Sequence, residues 1–258
     1  MYKRQTLEFV QRCDDEWFGG CGIVWLEAVV NPEKGKGIRH KIVDFDTASR
    51  NGEPFEAQIA KEGIPNAANP KCSDRLKLLP MMAYRKSLGY RLQDYDTAIG
   101  IRVDEVDRCH SRHKALNLLY PLVADIPMTK PQIYRWWSEQ TFNLDIPEHW
   151  GNCVWCWKKS DRKLLTVMNE IPDAFTFPES MEKKYGRIMN ITEQLMDAQV
   201  SKVFFRYGRS VQDLIALAEQ GFEPFVDTQD GVYTPDLFND PLLDATNGCS
   251  ESCDIYGE

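Results

Sequence analysis

The sequence predicts an α/β domain of three layers on a mainly parallel sheet, followed by a helical C-terminal region. Three observations carry that expectation. Short runs rich in β-formers alternate with stretches of helical apolar spacing over residues 1–145. Polar residues bunch at the carboxyl end of one such run, where α/β folds place their ligands. Over residues 146–258 helical patterns dominate, the tail turns acidic, and two cysteine pairs occur, Cys153 with Cys156 and Cys249 with Cys253.

Taken in order, Leu7, Val10 and Cys13, with Phe9 and Trp17 beside them, recur at helical spacing and predict a helix over 6–17. Gly19, Gly20 and Gly22 end it. Residues 23–26 and 41–45 read as strands, with a polar Gly/Pro loop over 31–39 between them. A turn follows, then a helix from Pro54. A loop over 65–70 leads into a helix over 73–88 with Ser73 as N-cap, a start that offers free N–H groups to an anion. Residues 97–102 form a strand that ends in the charged run 103–108. Residues 121–127 are extended, and 130–140 is a helix with Ile133, Trp136 and Trp137 toward the core. Further helices are expected over 160–170, within 181–198, and over 210–220 with Ser210 as cap. A short strand is expected at 203–205.

Composition narrows the function classes. At 258 residues the chain is one sizeable domain or two small ones, and 43% hydrophobic residues with 11% aromatics suit a globular protein. Lys+Arg of 31 against Asp+Glu of 39 gives net −8, which argues against non-specific nucleic-acid binding by the whole surface and leaves room for a local basic groove. No apolar run approaches the ~20 residues of a membrane span, and Met-Tyr-Lys-Arg lacks a signal-peptide core, so a cytoplasmic protein without a membrane partner is expected. In a reducing compartment, eight cysteines point to metal ligation or burial rather than to a disulfide framework.

The stretch 147–160 concentrates the chemistry. It holds Cys153 and Cys156, three tryptophans (Trp150, Trp155, Trp157) and Lys158-Lys159. A C-x-x-C hook lets two thiolates face one ion, with further ligands from elsewhere. Two buried cysteines in an aromatic mini-core are an equal reading from spacing alone. A redox dithiol fits less well, because such motifs sit between a strand and a helix. Cys249 and Cys253 lie in a polar tail with no packing reason for them, which favours ligation for both pairs. Cys72 joins the candidates because it precedes a helix N-terminus, where the dipole stabilises an anionic thiolate group. Cys13, Cys21 and Cys109 read as packing residues.

Several segments form an ordered set along the chain: Thr6-Leu7-Glu8-Phe9-Val10; Val24-Trp25-Leu26-Glu27; Ser49-Arg50-Asn51-Gly52-Glu53-Pro54-Phe55-Glu56; Lys71-Cys72-Ser73 with Leu76-Lys77; Ile99-Gly100-Ile101-Arg102-Val103-Asp104-Glu105 with Arg108; and Pro147-Glu148-His149-Trp150-Gly151-Asn152-Cys153 with Cys156. In this order the chain resembles the PAPS-reductase-like (phosphoadenosine-phosphosulfate-reductase-like) branch of the PP-loop ATP pyrophosphatases. The resemblance implies a doubly wound, adenine nucleotide α-hydrolase-like fold that binds ATP or a related adenine nucleotide. It implies that Arg102, Asp104, Glu105 and Arg108 clamp phosphates or substrate, with Ser49, Arg50, Lys77 and Gly100 at the cofactor. It further implies an iron–sulfur cluster of the 4Fe–4S type on Cys72, Cys153, Cys156 and Cys249 or Cys253. Zinc is the second choice from ligand chemistry.

Two departures shape the expected function. The family's Ser-Gly-Gly-x-Asp-Ser phosphate loop occurs nowhere in the chain, and Cys249-Ser250-Glu251-Ser252-Cys253 is not the Glu-Cys-Gly-Leu-His-type segment of true reductases. The expectation is therefore a nucleotide-binding protein with a protein partner that supplies the missing β-α-β unit and its phosphate loop, or a homo-oligomer. The alternative is a non-catalytic scaffold of the same family with a structural zinc or iron–sulfur site.

Overall fold

A computed structural model describes residues 4–151, 153–186 and 202–226. Its helices are α1 (Arg4–Phe18), α2 (Glu53–Glu62), α3 (Leu79–Ser87), α4 (Pro121–Ala124), α5 (Lys130–Ser138), α6 (Asp161–Glu170), α7 (Thr176–Tyr185) and α8 (Val211–Glu219). Its strands are β1 (Trp25–Val30), β2 (Ile38–Val43), β3 (Thr97–Ala98) and β4 (Leu118–Leu119).

The strands form two separate two-stranded sheets, which overturns the expected three-layer, doubly wound parallel sheet. β1 and β2 pair antiparallel, from Trp25 opposite Val43 to Val30 opposite Ile38. The cause is the connection. Residues 31–37 are too few for the crossover of about a dozen residues that a parallel pair needs, so the chain turns back as a hairpin. β3 and β4 do run parallel, but their ladder is two residues long. Beyond it, the N–H of Ile99 still reaches the carbonyl of Leu119 (2.9 Å), and Arg102 then opens a 3₁₀ turn over Val103–Arg108.

Other boundaries follow from local chemistry. α1 ends where Gly19 and Gly20 take positive φ, and the turn is fixed by buried Asp14, whose Oδ1 accepts from the N–H groups of Gly22 (2.9 Å) and Ile23 (3.0 Å). Gly52 leads into α2 with φ of 89°, and a Cβ there would lie 2.6 Å from the Phe177 ring, so α2 and α7 approach closely because residue 52 has no side chain. Ser73 is not a cap: it has helical φ/ψ and leads into a π-helical turn, Asp74–Leu78, that runs on into α3. Residues 121–124 are helical rather than extended. The start of α5 is set by a reciprocal Thr129–Gln132 capping box, and that of α8 by Ser210 with Asp213. At 203–205 there is only a bridge from Phe205 to Arg209 in place of a strand, and much of the expected 181–198 helical region lies outside the described residues.

The main core gathers Ile59 and Ile64, Val154 and Trp155, Leu164, Val167 and Met168 of α6, Phe175, Met181 of α7, Phe204 and Phe205, and Val211 and Leu214 of α8. Apolar side chains from the hook and from four helices thus share one interior. A smaller cluster of Ile101, Leu118 and Tyr120 supports the 3₁₀ turn. Glu182 of α7 links core segments by accepting from the N–H groups of Phe204 (3.0 Å) and Val211 (2.9 Å). Glu182→Ala leaves both donors without that acceptor and should cost about 2 kcal/mol, measured by urea unfolding. No helix among the described residues is long and apolar enough to cross a membrane.

Candidate functional site

The residues from Arg102 to Arg108 form a network of ion pairs. Arg102 precedes the 3₁₀ turn, its Nε lies 3.1 Å from Asp104 Oδ1 and its Nη1 3.2 Å from Glu105 Oε2. Arg108 Nη1 meets the other oxygen of Glu105 at 2.6 Å. Glu105 is buried, and two guanidiniums compensate its charge. Burial pushes the Asp104 carboxyl up. The hydrogen bond and charge of Arg102, aided by the backbone of Lys130, outweigh this and hold it below the usual range.

That backbone contact joins the turn to the hook. The N–H of Val103 donates to Met128 (3.2 Å), just before α5. Lys130 then sends its ammonium to Glu148 Oε2 (2.6 Å), and Lys163 of α6 lies 3.4 Å from Glu148 Oε1. Burial alone would raise the Glu148 pKa. Lys130, with Lys163, more than offsets this and leaves it lowered. Next along the chain, buried His149 places Nε2 2.7 Å from Glu170 Oε2, which also accepts from Trp150 Nε1 at 2.7 Å. His149 Nδ1 has no partner among the described residues. Phe225 covers this end, with its ring 5.7 Å from that of His149 and 4.8 Å from the Lys163 ammonium.

The hook is a tight turn in which the N–H of Cys156 donates to the carbonyl of Cys153 (3.0 Å). Cys156 is buried and Cys153 half-buried. Trp155 between them points into the core, against Phe55, Phe177 and Phe204 at 5.3–5.5 Å. Lys159, only 1% exposed, donates to the carbonyls of His149 (2.6 Å) and Gly151 (2.8 Å), pinning the two sides of the hook together. Both the aromatic mini-core and an ordered cysteine turn are therefore present.

The remaining expected site residues lie on several different segments. The N–H of Ser49 donates to Glu27 Oε2 (2.7 Å), while the Arg50 guanidinium bonds the Phe45 carbonyl and stacks 4.6 Å from the Phe45 ring. Lys77 falls in the π-helical turn and Cys72 in the helical residues just before it. Gly100 is exposed, with open space where a Cβ would stand, so no close approach requires glycine there. Among the described residues no three His, Cys, Asp or Glu side chains gather to hold a metal, so Cys72 does not complete a three-ligand group with Cys153 and Cys156. Cys249 and Cys253 lie outside the described residues.

Sequence reasoning assigned no role to Lys130, Lys159, Lys163, His149 or Glu170. Two signals were available. Lys130 stands in the first turn of a helix, where a cation opposes the dipole unless a carboxylate meets it. Lys163 sits on the face of α6 that also carries Val167, an apolar stripe in which a lysine needs a buried partner.

The comparisons with known proteins agree with the whole length of the chain but assign no activity. The chain is 29% identical over 260 residues to the "Uncharacterized nin region protein ORF290" of Escherichia phage lambda, across 98% of this chain and 81% of that protein. No family model matches, and no solved structure matches.

Proposed function

We propose that the chain binds an adenine nucleotide as the PAPS-reductase-like proteins it resembles do. The row from Arg102 through Lys130 to Lys163 faces the phosphates, and another polypeptide supplies the phosphate loop. The observation that supports this most is the position of Lys130. Its backbone faces Asp104 and its ammonium binds Glu148, so two landmarks distant in sequence meet at one residue. Arg102, Arg108, Lys130 and Lys163 there stand among Asp104, Glu105, Asp107 and Glu148, so the row is electrically balanced on a chain of net −8. Without a ring of backbone donors the affinity stays low, since arginines bring charge but no preorganised cradle.

Calorimetric titration with ATP is the test. Weak, salt-sensitive binding is expected, reduced about tenfold by Arg102→Ala or Lys130→Ala through loss of a charge-assisted contact. Equal affinity in wild type and both variants would contradict the reading.

A second reading rests on Lys159. The buried Lys159 ammonium pins the Cys153–Cys156 turn through the carbonyls of His149 and Gly151, and such an ordered turn fits half of a Cys₄ site, with Cys249 and Cys253 as the remaining donors. An iron–sulfur cluster bound there would supply electron transfer, and zinc a structural tie. Iron, sulfide and zinc analysis of anaerobically purified protein should find metal that Cys153→Ser removes. Metal-free wild-type protein would count against it.

A further inference from the structure

The chain leaves α8 through Gly221, at φ of 85°, and Phe222 then packs against the main core. From there residues 223–225 lie along α6, which holds them. Arg162 donates its Nε to the carbonyl of Glu223 (3.1 Å) and its Nη2 to that of Pro224 (3.0 Å). One helical turn further on, the hydroxyl of Thr166 accepts from the Phe225 N–H (2.8 Å). The Arg162–Glu223 ion pair (3.3 Å) adds little, because the Glu223 side chain is 81% exposed. The Phe225 ring ends the run, 4.8 Å from the Lys163 ammonium and 5.7 Å from the His149 ring.

Beneath it lies an incomplete hydrogen-bond set. Glu170 Oε2 accepts from Trp150 Nε1 and meets His149 Nε2 at 2.7 Å. A carboxylate only accepts, so Nε2 carries the hydrogen. In the neutral ring the lone pair is then on Nδ1, which is buried and has no partner among the described residues. An imidazole oriented by a carboxylate through one nitrogen, with the other unused, is arranged as a proton acceptor. We propose that residues 223–226 are an autoinhibitory strap. Seated on α6, it shuts the His149 acceptor away from solvent. Released, it uncovers that acceptor beside Lys163. Release breaks three hydrogen bonds, lifts one ring and lets water reach Nδ1, so the strap opens without the rest of the core. Arg162 and Thr166 are its latch. The device is independent of what the Arg102–Lys163 row binds.

The full chain is treated at neutral pH with diethyl pyrocarbonate, which acylates accessible neutral imidazoles, and the modified positions are mapped by peptide mass. His149 reports on the strap. His40, on β2 against Tyr84 of α3, also has a buried Nδ1 and reports on general loosening. Slow modification of His149 is expected in the wild type. Phe225→Ala, and separately Arg162→Ala combined with Thr166→Val, should speed it about tenfold through loss of the ring or of the latch, with His40 unchanged. His149 reacting as fast in the wild type as in the variants would overturn the proposal. So would His149 staying unreactive in both variants, or a rise at His40 equal to that at His149.

Discussion

Replacing Trp155 with alanine should destabilise the protein by about 3–5 kcal/mol, the range for deleting a large aromatic from a packed interior. Trp155 is 3% exposed and touches Phe55 of α2, Phe177 of α7 and Phe204, so its ring joins segments from both ends of the chain. No neighbour can fill the space, because each of those rings is committed to its own packing. The hook should suffer with it, because Trp155 lies within the turn that the Cys156 N–H closes onto the Cys153 carbonyl. Urea unfolding reads the loss as a lower midpoint. A loss under about 1 kcal/mol would place Trp155 outside the main core.

Glu148→Ala should cost about 3 kcal/mol, because it strips a carboxylate from two lysines, one of which is buried. The same pair predicts the response to acid. The folded pKa of Glu148 is depressed, so its contribution to stability is present above the unfolded value of about 4.3 and is lost as pH falls through the lower folded value. Stability measured across that interval should drop in the wild type and drop less in Glu148→Ala. Parallel curves would mean that the lysines do not hold this charge.

Some of this architecture was legible and some was not, for reasons that particular residues show. α6 and α8 could be read closely, because Ser160 and Ser210 mark their starts and apolar spacing marks their inner faces. The sheet could not, since runs such as Ile23–Leu26 announce a strand but say nothing of its direction. That is decided by the short connection over 31–37, whose length was visible and carried the answer. The Arg102–Arg108 run was legible as charge, but its closure into ion pairs depends on a 3₁₀ turn that no periodicity encodes. Cys72 was named as a partner of the hook from its position before a helix, and among the described residues it forms no three-ligand group with Cys153 and Cys156. Convergence in space is a property of the whole chain.

The measurement that bears most directly on the proposed nucleotide role is ATP binding and pyrophosphate release. The chain is assayed alone and together with a polypeptide carrying Ser-Gly-Gly-x-Asp-Ser. The chain alone should bind ATP weakly, lose that binding in Arg102→Ala, and release little or no pyrophosphate, whereas the added phosphate loop should tighten binding. Robust pyrophosphate release by the chain alone, or ATP binding indifferent to both Arg102→Ala and the added loop, would contradict the account.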